Sequence, residues 1–375
     1  MPSSLRPLPA SAPAPATDTA LGPPGVVLIL SGAPPATPAS RLGCSGCSGE
    51  EERADAGTVA RAEARGALVR LRAGVHVDRA AWEAVSARER HLLRIRALAR
   101  VSAAPIVLGG ASAAAVHALP RLTPWPSLVT LLEVPGMPAG RPAGTRIARD
   151  PARGRSPLVR VAEAVRLPAL AATALAASHE AAMAAVRDAA PHGPGWLAHG
   201  LVALDDALGP ARASPATRVD LEAERALRGP GPWSRRAELL VEAAEGASRC
   251  PVESVARGVA REAGLAHPDV GVRVPGHGRL ALAWPRERVG LRVAGAAARG
   301  GDRPDPSAGE AQERGRWRIV VAAERDVLAP GRLRALLLHA GLEPERRSAH
   351  ARPAARPDPG GGRSRRSSPL GCAGE

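Results

Sequence analysis

The sequence predicts a mixed α+β or α/β chain of more than one domain, and three observations carry that prediction. Its 375 residues exceed what one hydrophobic core commonly organises, which points to two or three domains. Short runs of alternating apolar residues, such as Leu68-Val69-Arg70-Leu71-Arg72, stand between longer segments of helical period, such as Glu89 to Arg100. A Pro/Gly cluster, Arg228-Gly229-Pro230-Gly231-Pro232, then breaks the pattern and marks a connection between Leu227 and Ser234.

Composition narrows the function classes. The chain contains no Lys, Asn, Phe or Tyr, so all 51 basic residues are Arg and the six Trp are the entire aromatic complement. Strong G+C bias in the coding sequence accounts for this and says nothing about function. It does leave a core of Ala, Leu and Val with few large space-filling groups. The net charge of +15 favours a polyanionic partner, although Arg substituting for Lys on an ordinary solvated surface gives the same count. Cys44, Cys47, Cys250 and Cys372 are too few and too scattered for a disulfide framework, and Cys44-Ser45-Gly46-Cys47 lacks a second pair to complete a zinc site. The most apolar N-terminal run, Gly25 to Leu30, is too short to span a bilayer and follows Pro23 and Pro24, so the sequence reads as cytoplasmic with no membrane partner.

Taken in order, residues 1–49 are rich in Pro, Ala, Ser and Gly and read as a disordered arm. From Glu50 to Gly66 the chain is charged and helical, and Arg61 and Arg65, four apart, share one face. Leu68 to Val77 reads as a hairpin turning at Gly74, with Leu68, Leu71, Val75 and Val77 toward a core and Arg70 and Arg72 together on the opposite face. Ser86-Ala87-Arg88-Glu89 is a capping box that opens a helix with an apolar stripe at Leu92, Ile95 and Ala99. His91 and His117, each lone beside an apolar face, read as structural. A short strand at Ile106-Val107-Leu108, a second helix from Ala111 to Leu119 and a strand at Leu128 to Val134 follow. Pro135 to Ser156 reads as loop, and helix is expected from Leu158 onward, including His179 to Asp188. Beyond the break, a helix from Arg249 to Gly264 precedes strands at Val270–Val274, Arg279–Trp284, Val289–Val293 and Trp317–Val321, and a helix from Gly331 to Leu342 closes the segment.

Two stretches carry a family resemblance. The hairpin followed by Arg90-His91-Leu92-Leu93-Arg94-Ile95-Arg96-Ala97 and Ser112-Ala113-Ala114-Ala115-Val116-His117-Ala118-Leu119-Pro120 resembles the "LvRvrrGvYv" wing and "RhllrvrA…SAAalhGLP" segment of actinobacterial AbiEi-type antitoxins and transcriptional regulators. Cys250-Pro251-Val252-Glu253-Ser254 resembles the start of the very-short-patch-repair-endonuclease-like domain that often ends those proteins. The resemblance implies a partial winged helix-turn-helix at 50–77, a central AbiEi-like α/β domain at 78–227 and a C-terminal degenerate restriction-endonuclease-like domain at 235–342; the Pro/Gly/Ser- and Arg-rich composition of 343–375 reads as a basic disordered tail. It also implies double-stranded DNA as a partner, with Arg61, Arg65, Arg70 and Arg72 on phosphate or groove edges, and a toxin of the nucleotidyltransferase kind as a second partner.

Cleavage chemistry requires acidic oxygens around a divalent cation. Where the resemblance places the acidic residues, this chain has Ala281, Arg292 and Ala294, and only Glu253 remains. A lone carboxylate is expected to pair with Arg292, so no metal, cofactor or cleavage is expected. The alternatives are a metal-dependent endonuclease whose site is rebuilt by Asp302, Asp305 or Glu310, and a decayed copy without function.

Overall fold

The computed structural model describes residues 21, 23, 25–31, 51–134, 142–188, 193–294 and 317–344. Cys44, Cys47, Cys372, the three acids at 302, 305 and 310, and the basic tail from 345 lie outside them.

The chain opens with β1 (Leu28–Ser31), β2 (Glu51–Ala54), α1 (Ala56–Ala64), β3 (Leu68–Arg72) and β4 (Val75–Asp78). These strands form one sheet in the order β2-β1-β4-β3, with β1 parallel to β2 and antiparallel to β4. The arm expected over 1–49 is therefore interrupted by a strand. Its physical basis is the apolar run noted there, since Leu28 is fully buried and packs with Val26, Val75 and Val77. Gly74 turns the hairpin at φ 74°, where a Cβ is disfavoured. The register slips between Arg70 and Arg72, so strict alternation fails. Leu68, opposite Asp78, is buried as expected, and Val69, opposite Val77, packs half-buried against the same core as Leu71.

Next come α2 (Arg79–Ala84), α3 (Ala87–Val101), β5 (Ile106–Val107), α4 (Gly110–Val116), β6 (Val129–Glu133) and β7 (Thr145–Arg149). The capping box forms as its spacing predicts: Ser86 Oγ accepts from Glu89 N at 3.3 Å and Glu89 Oε2 accepts from Ser86 N at 2.7 Å. Helix α3 serves two cores. Leu93 and Ala97 pack under the first sheet, whereas Leu92, Ile95 and Leu98 face α4, β6 and the strands that follow. Strand β7, parallel to β6, lies inside the stretch read as loop.

The hairpin β8 (Leu158–Ala162) and β9 (Val165–Pro168) replaces the helix expected from Leu158, and helix α5 (Leu170–Arg187) begins only after it. Val161, Val165 and Leu167 enter the core in a two-residue rhythm and favour the pleated surface, while the Ala-rich run behind them becomes helix. Four helices then pack together: α5, α6 (Trp196–Leu208), α7 (Arg218–Arg228) and α8 (Ser234–Ala243).

The last part comprises α9 (Pro251–Glu262), β10 (Asp269–Val270), β11 (Arg273–Val274), β12 (Gly278–Arg279), β13 (Leu282–Trp284), β14 (Val289–Val293), β15 (Arg318–Ala322), α10 (Glu324–Val327) and α11 (Pro330–His339). Two of the strands read as continuous are each broken in two, at Gly271 (φ 67°) and between Arg279 and Leu282, and β11 pairs with β12 as a separate hairpin. The remaining strands make a sheet in the order β10-β13-β14-β15, antiparallel except for the parallel β14–β15 pair. Trp284 is almost fully buried here and donates Nε1–H to Ala266 O at 2.7 Å.

The connection at 227–234 joins α7 to α8, yet packing does not divide there. Helix α6, upstream of it, gives Leu197, Leu201 and Leu204 to the helical core and Ala198 and Val202 to the core of the C-terminal sheet. The architecture is mixed α/β with several small sheets.

Candidate nucleic-acid interface

Helix α1 starts at Asp55, whose carboxylate accepts from Thr58 N at 2.9 Å. It then buries a single side chain, Val59. Such sparse burial leaves most of the helix circumference to solvent, and Arg61 and Arg65 are both exposed on it. Arg61 donates to Thr58 Oγ1 at 3.0 Å, an i–3 contact that steadies the guanidinium without neutralising it. The helix is held to the sheet by Glu63, which lies 3.4 Å from Nε2 of the buried His76 on β4. Arg70 sits directly across from His76 on β3, is exposed, and forms no ion pair among the described residues.

Arg72 behaves differently from its expected role. Its guanidinium donates to Gly144 O at 3.3 Å, beside β7, and partial burial draws its pKa downward. The bulge between Arg70 and Arg72 separates the two side chains expected on one face. Arg61, Arg65 and Arg70 are thus exposed on α1 and β3, while Arg72 ties β3 to the segment that leads into β7.

One cationic group was missed in the sequence. Trp82 on α2 lies under two guanidiniums of α3, with Arg94 at 4.9 Å and Arg90 at 5.7 Å from its ring. Arg90 also donates to Trp82 O and Glu83 O, each at 2.9 Å, and so acts as a brace. The i, i+4 spacing of Arg90 and Arg94 was the available signal.

In the C-terminal part, Glu253 near the start of α9 is 1% exposed. Its two oxygens accept from Arg279, Nη1 to Oε1 at 2.8 Å and Nη2 to Oε2 at 2.9 Å, and Oε2 also accepts from Arg249 N at 2.9 Å. The expected partner, Arg292, instead donates to His277 O. Strand β12 delivers Arg279 to this carboxylate because the β11–β12 hairpin curls back, and the strand breaks that allow the curl were not foreseen. Ala281 is buried, and its N–H donates to Leu291 O at 2.9 Å; Ala294 N donates to Ala322 O at 2.8 Å. The resemblance implies a divalent cation here, and the donor set does not fit one. A bidentate guanidinium already neutralises the carboxylate. Among the described residues no group of three His, Cys, Asp or Glu side chains could hold a metal ion. Among them too, no helix is long and apolar enough to cross a membrane.

A second buried ion pair was also missed. Asp205 on α6 and Arg257 on α9, each 1% exposed or less, meet at 2.5 and 2.6 Å. Glu245 N and Ser248 Oγ complete the carboxylate shell at 2.8 and 3.2 Å, and Arg257 also donates to Ala243 O. Burial drives the Asp205 pKa upward, opposed by Arg257. This pair is a structural clasp between the helical core and the C-terminal sheet.

Comparison with family models, curated proteins and solved structures gives no match to this chain.

Proposed function

We propose that this chain is a non-enzymatic DNA-binding regulator of the AbiEi antitoxin-like kind, with α1 and the β3–β4 hairpin as its DNA-facing module. One observation carries the reading: a helix that buries only Val59 leaves Arg61 and Arg65 exposed, Arg70 is exposed on the strand that follows it, and none of the three is neutralised by a carboxylate among the described residues. Unpaired guanidiniums along one helix face and an adjoining strand suit phosphate oxygens spaced along a duplex. The helix precedes the hairpin by three residues, as a recognition helix precedes a wing. Arg72 is assigned here to positioning the hairpin.

The C-terminal α/β part, with its order of helix, four paired strands and closing helices, is read as a nuclease-like domain whose catalytic carboxylate has become an internal ion pair. A toxin of the nucleotidyltransferase kind as the protein partner follows from the resemblance alone.

Fluorescence anisotropy with a labelled duplex tests this reading. Wild type binds, the combined Arg61→Ala, Arg65→Ala and Arg70→Ala variant loses at least about tenfold in affinity, and Arg72→Ala alone loses less. Absence of binding by the wild type overturns the proposal. So does Mg²⁺-dependent nicking that Glu253→Ala abolishes.

A further inference from the structure

The Pro/Gly connection forms one side of a cavity of about 480 Å³, within the size range of small-molecule sites. Its other sides come from α5 through Leu175 and His179, from the end of α7, and from the start of α8 through Trp233, Ala237 and Leu240. The Trp233 ring is fixed in place: His179 stacks on it at 4.0 Å between centroids and the Arg236 guanidinium lies 5.1 Å from it. This gives the cavity a rigid apolar wall that loses little entropy on contact with a ligand. Burial holds the His179 pKa below its ordinary 6.5, so the imidazole is neutral at pH 7.

The charge on the lining is one-sided. Arg225 and Arg228 both contribute to it, and no carboxylate does. Arg228 spends Nη2 on Ala172 O at 2.8 Å, and its Nε is buried without a hydrogen-bond partner among the described residues. Asp150 and Glu224, behind the lining, offset part of the Arg228 charge, and Glu224 is itself occupied by Ser156 Oγ at 2.7 Å. Arg225, half-buried at the cavity, forms no ion pair among the described residues. An apolar chamber with unbalanced guanidiniums on its lining selects a ligand with an apolar body and an anionic group.

We propose that this cavity binds a small aromatic carboxylic acid, its ring against Trp233, Leu175 and Leu240 and its carboxylate on Arg225 and Arg228. The site is separate from the α1–hairpin module, so it stands or falls independently of DNA binding.

Isothermal titration calorimetry of the full chain with 2-naphthoate tests it, with the neutral isostere 2-naphthamide as control. Saturable binding of the acid is expected, weakened about tenfold by Arg225→Gln, which removes the free guanidinium, and by Ala237→Phe, which fills the chamber without touching a charge. The amide is expected to bind about tenfold more weakly than the acid. Because the chain has no Tyr or Phe, tryptophan fluorescence gives a second readout, and Trp233→Leu removes the part of the change that arises in the cavity. Absence of saturable binding overturns the proposal. Equal affinity for the amide, or binding indifferent to both Arg225→Gln and Ala237→Phe, does the same.

Discussion

Acidification should weaken the central core through one side chain, His91, and the size of the effect follows from its contacts. His91 lies on α3 and is fully buried. Its Nδ1 is 2.9 Å from Pro126 O, and a carbonyl only accepts, so Nδ1 carries the proton. Nε2 must then accept, and Ser112 Oγ, 2.9 Å away, donates to it. The same Ser112 oxygen accepts from Thr130 N at 2.8 Å, so α3, α4 and β6 meet in a chain with every proton assigned. A second proton on Nε2 would face Ser112 and strand the hydroxyl hydrogen. Burial lowers the His91 pKa from 6.5 to about 4, with Arg94 and Arg121 adding to the depression and the Pro126 bond opposing it. A histidine depressed in the folded state stabilises fully above its unfolded pKa and loses that contribution as pH falls toward the folded one. The window is therefore 6.5 down to about 4. At about 1.4 kcal/mol per pH unit the loss is about 3 kcal/mol, a large share of the roughly 5–15 kcal/mol that holds a domain. Urea unfolding of wild type and His91→Gln across this range isolates the effect, because both proteins share every other histidine. Wild type is the more stable near neutral pH, and the gap closes by about 3 kcal/mol at the acidic end. A gap that stays constant with pH, or an imidazole that titrates above pH 6 by NMR, refutes the reasoning.

Two further predictions concern the joint between the helical core and the C-terminal sheet. Asp205→Ala leaves the Arg257 guanidinium buried without its carboxylate, which costs about 3–5 kcal/mol. Hydrogen exchange should then accelerate in both α6 and α9, whereas loss of protection in one alone would mean the halves are uncoupled. Gly258→Ala would place a Cβ 2.3 Å from Ala198 Cα, so α9 and α6 must move apart. In an open helix this exchange stabilises by about 1 kcal/mol; here a loss of about 1–3 kcal/mol is expected, and a raised Tm would contradict the close packing.

What the sequence made legible was local. The Ser86–Glu89 box, the turn at Gly74, strand β14 and helix α9 depend on neighbouring residues, and their signals survive into the structure. The β8–β9 hairpin was misread because the Ala-rich run that follows masks Val159, Val161 and Val165, three β-branched residues on alternate positions either side of a short turn. The clasp was invisible for another reason. Asp205 appears as one acid in an apolar helix, and its partner stands 52 residues away on another element. The same holds for Glu253: pairing with an arginine could be anticipated, but choosing Arg279 over Arg292 depended on a hairpin formed by two strand breaks. At the candidate interface, the residue types were readable, while the separation of Arg72 from Arg70 needed the bulge.

The salt dependence of duplex binding tests the proposed role of Arg61, Arg65 and Arg70 most directly. Each phosphate contact removed should lower the slope of log K against log salt by about 0.9, so replacing all three with alanine should reduce it by roughly 3. A slope that the triple substitution leaves unchanged would place the DNA elsewhere on the protein and contradict the account.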